Sequence, residues 1–289
     1  MIYCTDINAM RAQVVRWKKA GQTLAIVPTM GNLHAGHMAL VQRAKERVDR
    51  VVVSIFVNPL QFNESADFDA YPRTLEQDSN TLAAANLDAL FTPSSADIYP
   101  LGQSQATKIV VPGLSDVLEG ECRPGHFTGV ATVVNKLFNI VQADLACFGE
   151  KDYQQLMLIR RMVNELDMPI IIEAVATVRE PGGLAMSSRN KPLNEQQRNT
   201  AKVLYQQLSA VKQALEQGRK DYLQLESEAA KYIQQQGMWV EYVAIRRSYD
   251  LELPAEGDTE LVVLVAARLG EVRLIDNISL DLELQNSMG

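Results

Sequence analysis

Histidine and cysteine are scarce in this chain, with three of each among 289 residues. The cysteines, Cys4, Cys122 and Cys147, are odd in number, widely spaced and form no CxxC pair. That spacing argues against a structural zinc site and against a disulfide framework, and predicts reduced thiols. Basic charge is also short: 28 Lys and Arg stand against 35 Asp and Glu, a net charge of −7. General nucleic-acid binding leaves a basic footprint, so no nucleic-acid partner is expected. Phosphate binding is not excluded, because helix N-termini and a few local cations suffice for it. The apolar runs are strand-sized, so no membrane span is expected. The N-terminus, M-I-Y-C-T-D-I-N, lacks a basic stretch followed by an apolar one. No signal peptide is therefore expected, and a cytoplasmic location is.

What is present is globular: 47% hydrophobic and 22% charged residues, in a length that suits two domains. Residues 1–180 alternate strand-like and helix-like patterns. Strands are predicted at 24–28, 51–57, 89–92, 145–148 and 170–178. Helices are predicted at 37–48, 74–85, 130–141 and 153–166. Val51-Val52-Val53-Ser54-Ile55-Phe56-Val57 shows no alternation, which suits a strand covered on both faces. The expected class is α/β, a Rossmann-like doubly wound parallel sheet. After Pro181-Gly182-Gly183 the pattern changes. One long helix (194–217), a second (222–236) and β-rich runs at 240–245, 261–267 and 272–275 predict a smaller α+β domain over 181–289.

Two of the histidines lie three residues apart in Pro28-Thr29-Met30-Gly31-Asn32-Leu33-His34-Ala35-Gly36-His37. This segment follows the first buried strand and opens a helix. Ligands of open α/β sheets sit beyond the carboxyl ends of the strands. Gly31 and Gly36 let backbone approach a ligand, and the helix start offers N–H groups and a positive dipole end. Imidazoles here can donate to phosphate oxygens, so the segment suits the α- and β-phosphates of a nucleotide. It is neither GxGxxG nor a P-loop. The competing readings are a helix-capping loop with two surface histidines, and a metal pair that lacks a third ligand nearby. His126, alone in R-P-G-H-F, reads as a structural or peripheral loop residue.

A second phosphate site is expected from two further segments. Gly149-Glu150-Lys151-Asp152 follows a strand and precedes a helix, and Lys151 can neutralise charge building on a phosphoryl centre. Alone, it would read as a solvated turn. Met186-Ser187-Ser188-Arg189-Asn190 offers hydroxyls, backbone N–H groups and a guanidinium beside a glycine pair. It reads as a polyphosphate clamp on a mobile element, or as a capped Ser-rich linker.

The combination of His-x-Gly-His early and Met-Ser-Ser-Arg late resembles the nucleotidyltransferase α/β-phosphodiesterase superfamily. More closely, the chain resembles the pantothenate synthetase family. The blocks that carry the likeness are P-T-M-G-N-L-H-A-G-H, S-I-F-V-N-P-L-Q-F, Y-P-R-T-L-E-Q-D, L-E-G-E-C-R-P-G-H-F-T-G-V, C-F-G-E-K-D-Y-Q-Q and M-S-S-R-N, with L-V-A-A-R-L-G and R-L-I-D-N near the C-terminus. The resemblance implies an ATP-dependent ligase that joins pantoate to β-alanine through a pantoyl adenylate, with Mg²⁺, as a homodimer.

By the family pattern His34, His37, Lys151, Ser187, Ser188 and Arg189 serve ATP. The nucleotide site would extend over Met30, Gly31, Asn32, Leu33, Ala35 and Gly36, over Glu150 and Met186, and around the adenosine at Gly149, Asp152 and Val178. Met30, Gln61, Gln155 and Phe148 would hold pantoate, with Gln61 also near β-alanine, and Asn58 and Tyr71 lining the pocket. Glutamine amides suit a hydroxy acid because they donate and accept without adding charge. Asp78 is a candidate Mg²⁺ ligand, although a carboxylate on an exposed helix is the default reading. The polar, aperiodic segment 62–72 is a candidate lid that would keep water from an acyl adenylate, or an ordinary loop. The competing functions are a nucleotidyltransferase that leaves a nucleotide on its product, and a nucleotide-binding regulator or tRNA-binding module.

Overall fold

The computed structural model describes residues 1–63 and 65–283. It divides into two compact units: residues 1–149 with 154–176, and residues 150–153 with those from Thr177 onward. The sequence suggested one break near residue 180; the contacts break at 176 and count the short stretch 150–153 with the second unit.

The first unit contains β1 (Ile2–Cys4), α1 (Ile7–Lys19), β2 (Leu24–Thr29), α2 (Ala35–Lys45), β3 (Arg50–Ile55), α3 (Ser65–Ala70), α4 (Leu75–Ala84), β4 (Ala89–Phe91), α5 (Ser95–Ile98), α6 (Glu119–Cys122), α7 (His126–Val141), β5 (Leu145–Gly149), α8 (Tyr153–Glu165, whose first residue counts with the second unit) and β6 (Ile171–Val175). The six strands form one parallel sheet in the order β1-β4-β3-β2-β5-β6. Leu24 to Val27 and Val51 to Val53 are buried, as expected of strands covered on both faces. From β2 the chain runs outward to β3 and β4, then returns to β5 on the other side of β2. The topological switch therefore lies between β2 and β5, where ligands of such sheets bind. The Pro28 to His37 segment leaves β2 at this point, and Gly149 ends β5 beside it.

The sequence reading began at β2 and missed β1 and α1. Met10, Val14 and Trp17 fall on one buried face of α1, and the Asp6 carboxylate caps it by accepting from Ala9 N at 2.9 Å. Segment 62–72, read as aperiodic, contains the short helix α3; its Glu64 lies outside the described residues.

The second unit contains α9 (Glu195–Ala201), α10 (Val203–Glu216), α11 (Tyr222–Gln235), β7 (Trp239–Arg247), β8 (Glu260–Leu269) and β9 (Val272–Asp281). Its sheet is antiparallel, β7-β8-β9. Leu204, Leu208, Val211 and Leu215 of α10 and Leu225, Ala229 and Ile233 of α11 join one core with Leu261, Val263, Val265 and Ala267, alternate residues of β8. The single helix expected over 194–217 is two. Lys202 keeps helical dihedrals, but its N–H turns to Thr200 O and interrupts the ladder. Strand β9 runs past the expected end at Ile275 because Asp276 and Asn277, polar in the sequence, are buried in hydrogen bonds.

Among the described residues no helix is long and apolar enough to cross a membrane.

Candidate active site

The turn after β2 is held by its backbone. Gly31 (φ +80°) and Asn32 (φ +54°) are both left-handed. The turned N–H groups of Asn32 and Leu33 each donate to the Asp78 carboxylate at 2.8 Å, and Thr74 Oγ1 donates to it at 3.0 Å. Thr29 Oγ1 accepts from Gly31 N and donates to Ser54 O. A Cβ on Gly31 would lie 3.0 Å from Asp78 Oδ2 and 3.1 Å from Ile55 Cγ2, so a side chain there would be strained in φ and crowded by both neighbours.

Asp78 thus departs from its default sequence reading. It is 2% exposed rather than on an open helix face. Its carboxylate is aimed at loop backbone, Oδ2 accepting from Asn32 N and Thr74 Oγ1 and Oδ1 from Leu33 N, which makes it a clamp on the turn. Among the described residues no group of three His, Cys, Asp or Glu side chains is arranged to hold a metal ion.

The two histidines cap α2 reciprocally. His34 Nδ1 accepts from Gly36 N at 3.1 Å, and His37 Nδ1 accepts from His34 N at 3.3 Å. Their rings lie 4.1 Å apart between centroids, and both are half-buried. A backbone N–H can only donate, so each Nδ1 is unprotonated and each neutral ring carries its proton on Nε2. The capping reading is therefore true of one nitrogen of each ring. The same bonds define Nε2 as the donor a phosphate oxygen would meet, at the start of a helix whose dipole favours an anion.

Beyond β3, the 3-10 turn Pro59–Gln61 places Asn58 (1% exposed) and Gln61 (8%) beside Met30. Gln61 Nε2 donates to Met30 Sδ at 3.1 Å, and Asn58 Nδ2 donates to Gln61 Oε1 at 3.1 Å. His126 is not a loop residue; it is buried at the first position of α7. Its Nδ1 donates to Gln61 O at 2.8 Å, and its Nε2 accepts from Arg123 Nη1 at 3.3 Å. Phe148 is buried at the end of β5, edge-on to Phe138. Gln155 is half-buried on α8. Its neighbour Gln154 is the buried one, with its amide bonded to Leu114 O, Val117 O and Glu119 N. Tyr71 stacks edge-on to Phe62, which also meets Phe68, and Arg73 bonds the carbonyls of Phe68, Asp69 and Tyr71.

In the second unit, Lys151, Ser187, Arg189, Asn190, Arg273 and Asp276 line one cleft. Asn277 Nδ2 donates to Glu150 O and Lys151 O at 2.8 and 2.9 Å, tying the backbone at Lys151 to β9. Asp276 pairs with Arg179 through two bonds of 2.6 and 3.0 Å. The Arg179 guanidinium also stacks 3.8 Å over the Tyr205 ring. Arg273 is paired with Glu241 at 2.6 Å. Lys151 Nζ lies 3.7 Å from the exposed Asp152.

The Met-Ser-Ser-Arg-Asn segment is pinned at its end. Asn190 Nδ2 donates to Glu180 Oε1 and Ala185 O, and Arg198 bonds both Glu180 and Asn190 O. Ser187 Oγ caps the turn that carries Arg189. Met186 N donates to Val178 O at 2.9 Å. The glycine pair gives a tight turn: Gly182 and Gly183 have φ of +96° and +101°. A Cβ on Gly183 would fall 2.5 Å from Tyr205 Cδ1, so packing against that ring accounts for Gly183.

A family profile described as pantoate-beta-alanine ligase matches residues 2–279. The chain belongs to the pantoate–β-alanine ligase family. The pantothenate synthetase of Thioalkalivibrio sulfidiphilus is 53% identical over 95% of this chain and 96% of its own length. That of Methylococcus capsulatus is 52% identical over 96% of each. The crystal structure of pantothenate synthetase from Thermus thermophilus superposes with a TM-score of 0.88 at 42% identity, over 96% of this chain and 99% of that one. The pantoate-beta-alanine ligase of Francisella tularensis, complexed with beta-gamma ATP and beta-alanine, is 37% identical with a TM-score of 0.81, over 96% and 97%. The Rossmann-like parallel sheet with a small C-terminal α+β unit is the fold of this family.

Sequence reasoning proposed side chains for chemistry and missed several that hold their surroundings: Tyr99, whose hydroxyl donates to Asn58 Oδ1 at 2.7 Å, Arg179, Asp276, Asn277 and the clamp role of Asp78. Each acts across a long sequence separation that local spacing does not encode. The one available signal was R-L-I-D-N, where an Asp-Asn pair interrupts an apolar strand.

Proposed function

We propose that this chain condenses pantoate with β-alanine at the expense of ATP, through a pantoyl adenylate. The observation that carries the reading is the tautomer lock on His34 and His37 at the switch point of the sheet, in a chain of this family. In the first half-reaction a pantoate carboxylate oxygen attacks the α-phosphorus of ATP. The bond to the bridging oxygen breaks, and pyrophosphate leaves. His34 and His37 donate from Nε2 to phosphate oxygens, and need no reorganisation as charge develops there. Lys151, Ser187, Ser188 and Arg189 are proposed as further phosphate donors, with Gly149, Asp152 and Val178 toward the adenosine. Mg²⁺ is proposed to arrive with the phosphates of ATP. In the second half-reaction the β-alanine amine attacks the mixed anhydride carbonyl. The amine loses a proton, AMP leaves, and pantothenate remains. Met30, Gln61, Gln155 and Phe148 are proposed to hold pantoate. A homodimer, built through the first unit, is also proposed, and sedimentation at micromolar concentration tests it.

The deciding assay is AMP formation from ATP, which should require both pantoate and β-alanine. Labelled pyrophosphate should exchange into ATP with pantoate alone. Exchange that appears only after β-alanine is added would remove the adenylate from the scheme. A product that retains the nucleotide would point to a nucleotidyltransferase instead.

A further inference from the structure

Asn58 has no hydrogen-bonding capacity left for a substrate in the arrangement seen here. Its Oδ1 accepts from Tyr99 Oη at 2.7 Å and from Leu60 N at 3.3 Å. Its Nδ2 donates to Gly129 O at 3.0 Å and to Gln61 Oε1 at 3.1 Å. Two of these partners are backbone groups with a single possible role. Leu60 N–H can only donate and Gly129 C=O can only accept, so the orientation of the Asn58 amide is fixed without reference to any other side chain. Burial drives the Tyr99 hydroxyl well above its ordinary pKa, so it stays protonated and donates.

The consequence falls on Gln61. With an Asn58 N–H directed at Oε1, the Gln61 amide cannot turn over without setting one NH2 group against another. Its nitrogen is therefore held toward Met30 Sδ, a weak acceptor that any substrate oxygen outcompetes. The Gln61 main chain is fixed as well, because His126 and Arg123 both donate to its carbonyl. Gly129 completes the arrangement. A Cβ there would collide with the Leu60 carbonyl and lie 2.7 Å from Gln61 N, so only glycine lets α7 approach the turn closely enough for its carbonyl to reach Asn58.

We propose that Asn58, backed by Tyr99, is a positioning residue that sets the polarity of the Gln61 amide, so that Gln61 meets the acid substrate as a hydrogen-bond donor. The partner of the Gln61 Nε2–H is a carboxylate or hydroxyl oxygen of the hydroxy acid. The inference rests on the reading above that Gln61 contacts pantoate.

The test is initial-rate kinetics on the full chain with pantoate and ATP varied separately, for Gln61→Ala, Asn58→Asp, Tyr99→Phe and the Tyr99→Phe/Gln61→Ala pair. Asn58→Asp replaces the donor by an acceptor at nearly constant shape and inverts the preferred Gln61 orientation. It should raise the KM for pantoate about 30-fold, and Tyr99→Phe should raise it about three- to tenfold. The KM for ATP should stay within about twofold in both, and Tyr99→Phe should add nothing further once Gln61 is alanine. A structural role alone would lower activity without this split and would multiply in the double variant, which overturns the proposal. So does an unchanged pantoate KM in Tyr99→Phe and Asn58→Asp while Gln61→Ala raises it. If Gln61→Ala itself leaves the pantoate KM unchanged, the parent reading of Gln61 fails first, and the inference falls with it.

Discussion

The turn after β2 and the Met-Ser-Ser-Arg segment both offer donors suited to phosphate, yet they are built by opposite means. In the first, the backbone N–H groups of Asn32, Leu33, His34 and Gly36 are consumed by side-chain acceptors, namely the Asp78 carboxylate and the two imidazoles. The two imidazoles are themselves part of the lock. In the second unit the lock lies elsewhere: Asn277 holds the carbonyls of Glu150 and Lys151, while Asn190 and Glu180 hold the end of the loop. The long side chains of Lys151 and Arg189 are left out of it. Fixed imidazoles present donors at set positions, whereas a lysine on a four-carbon stem can follow a phosphoryl group as it moves. Substitution in the first turn should therefore disturb stability and chemistry together, and in the second unit the two should separate.

That contrast can be broken at several points, and Lys151→Ala carries the largest expected effect. It should abolish pantoate-dependent pyrophosphate exchange and leave the thermal unfolding midpoint where it was. A shifted midpoint would show that Lys151 belongs to the lock after all. His37→Ala should lower turnover about a hundredfold or more if it loses a transition-state hydrogen bond, and it should also cost stability through the lost cap. An exchange assay beside a urea titration reads both. Asp78→Ala orphans two turned N–H groups and should cost roughly 2–3 kcal/mol by urea unfolding, with Asp78→Asn intermediate because one acceptor survives. Equal stability of the two variants would remove the clamp. Asn277→Ala removes the tie on the Lys151 backbone and should slow exchange about tenfold with little change in the KM for ATP.

The smallest effect concerns the thiols. Cys147 is fully buried, and desolvation, aided by Glu173, pushes its thiol up to about 12; Cys4 is buried too, and Cys122 is exposed. Iodoacetamide at pH 8 should modify the folded protein at Cys122 alone, as peptide mass mapping would show, and all three sites in urea.

What the sequence made legible follows from where the information sits. The parallel sheet was readable because β2, β3 and β5 are nearly pure apolar runs bounded by turn residues. The turn after β2 was readable because Gly31, His34, Gly36 and His37 are adjacent in the chain. Asp78 was misread because its partners lie 45 and 46 residues away, and on α4 alone it looks like any carboxylate in a first helical turn. His126 was misjudged as a loop residue because the glycine before it, which ends the loop at φ +82°, also starts α7. The break at Lys202 left no mark in composition, since it occurs without a change of helical dihedrals. Asn277 was hidden for a different reason: a polar residue in a strand reads as its end, and here it is a buried joint.

Gly129 has a consequence for how this chain can vary. It carries no reactive atom and sits on a long helix where alanine would ordinarily be the better residue. Yet a single methyl there would push against the Leu60 carbonyl and move the turn that bears Asn58 and Gln61. Position 129 therefore sets the distance between α7 and this turn. Attempts to admit a bulkier hydroxy acid would do better to adjust the packing of α7 against this turn than to replace Gln61, the glutamine proposed to meet the substrate.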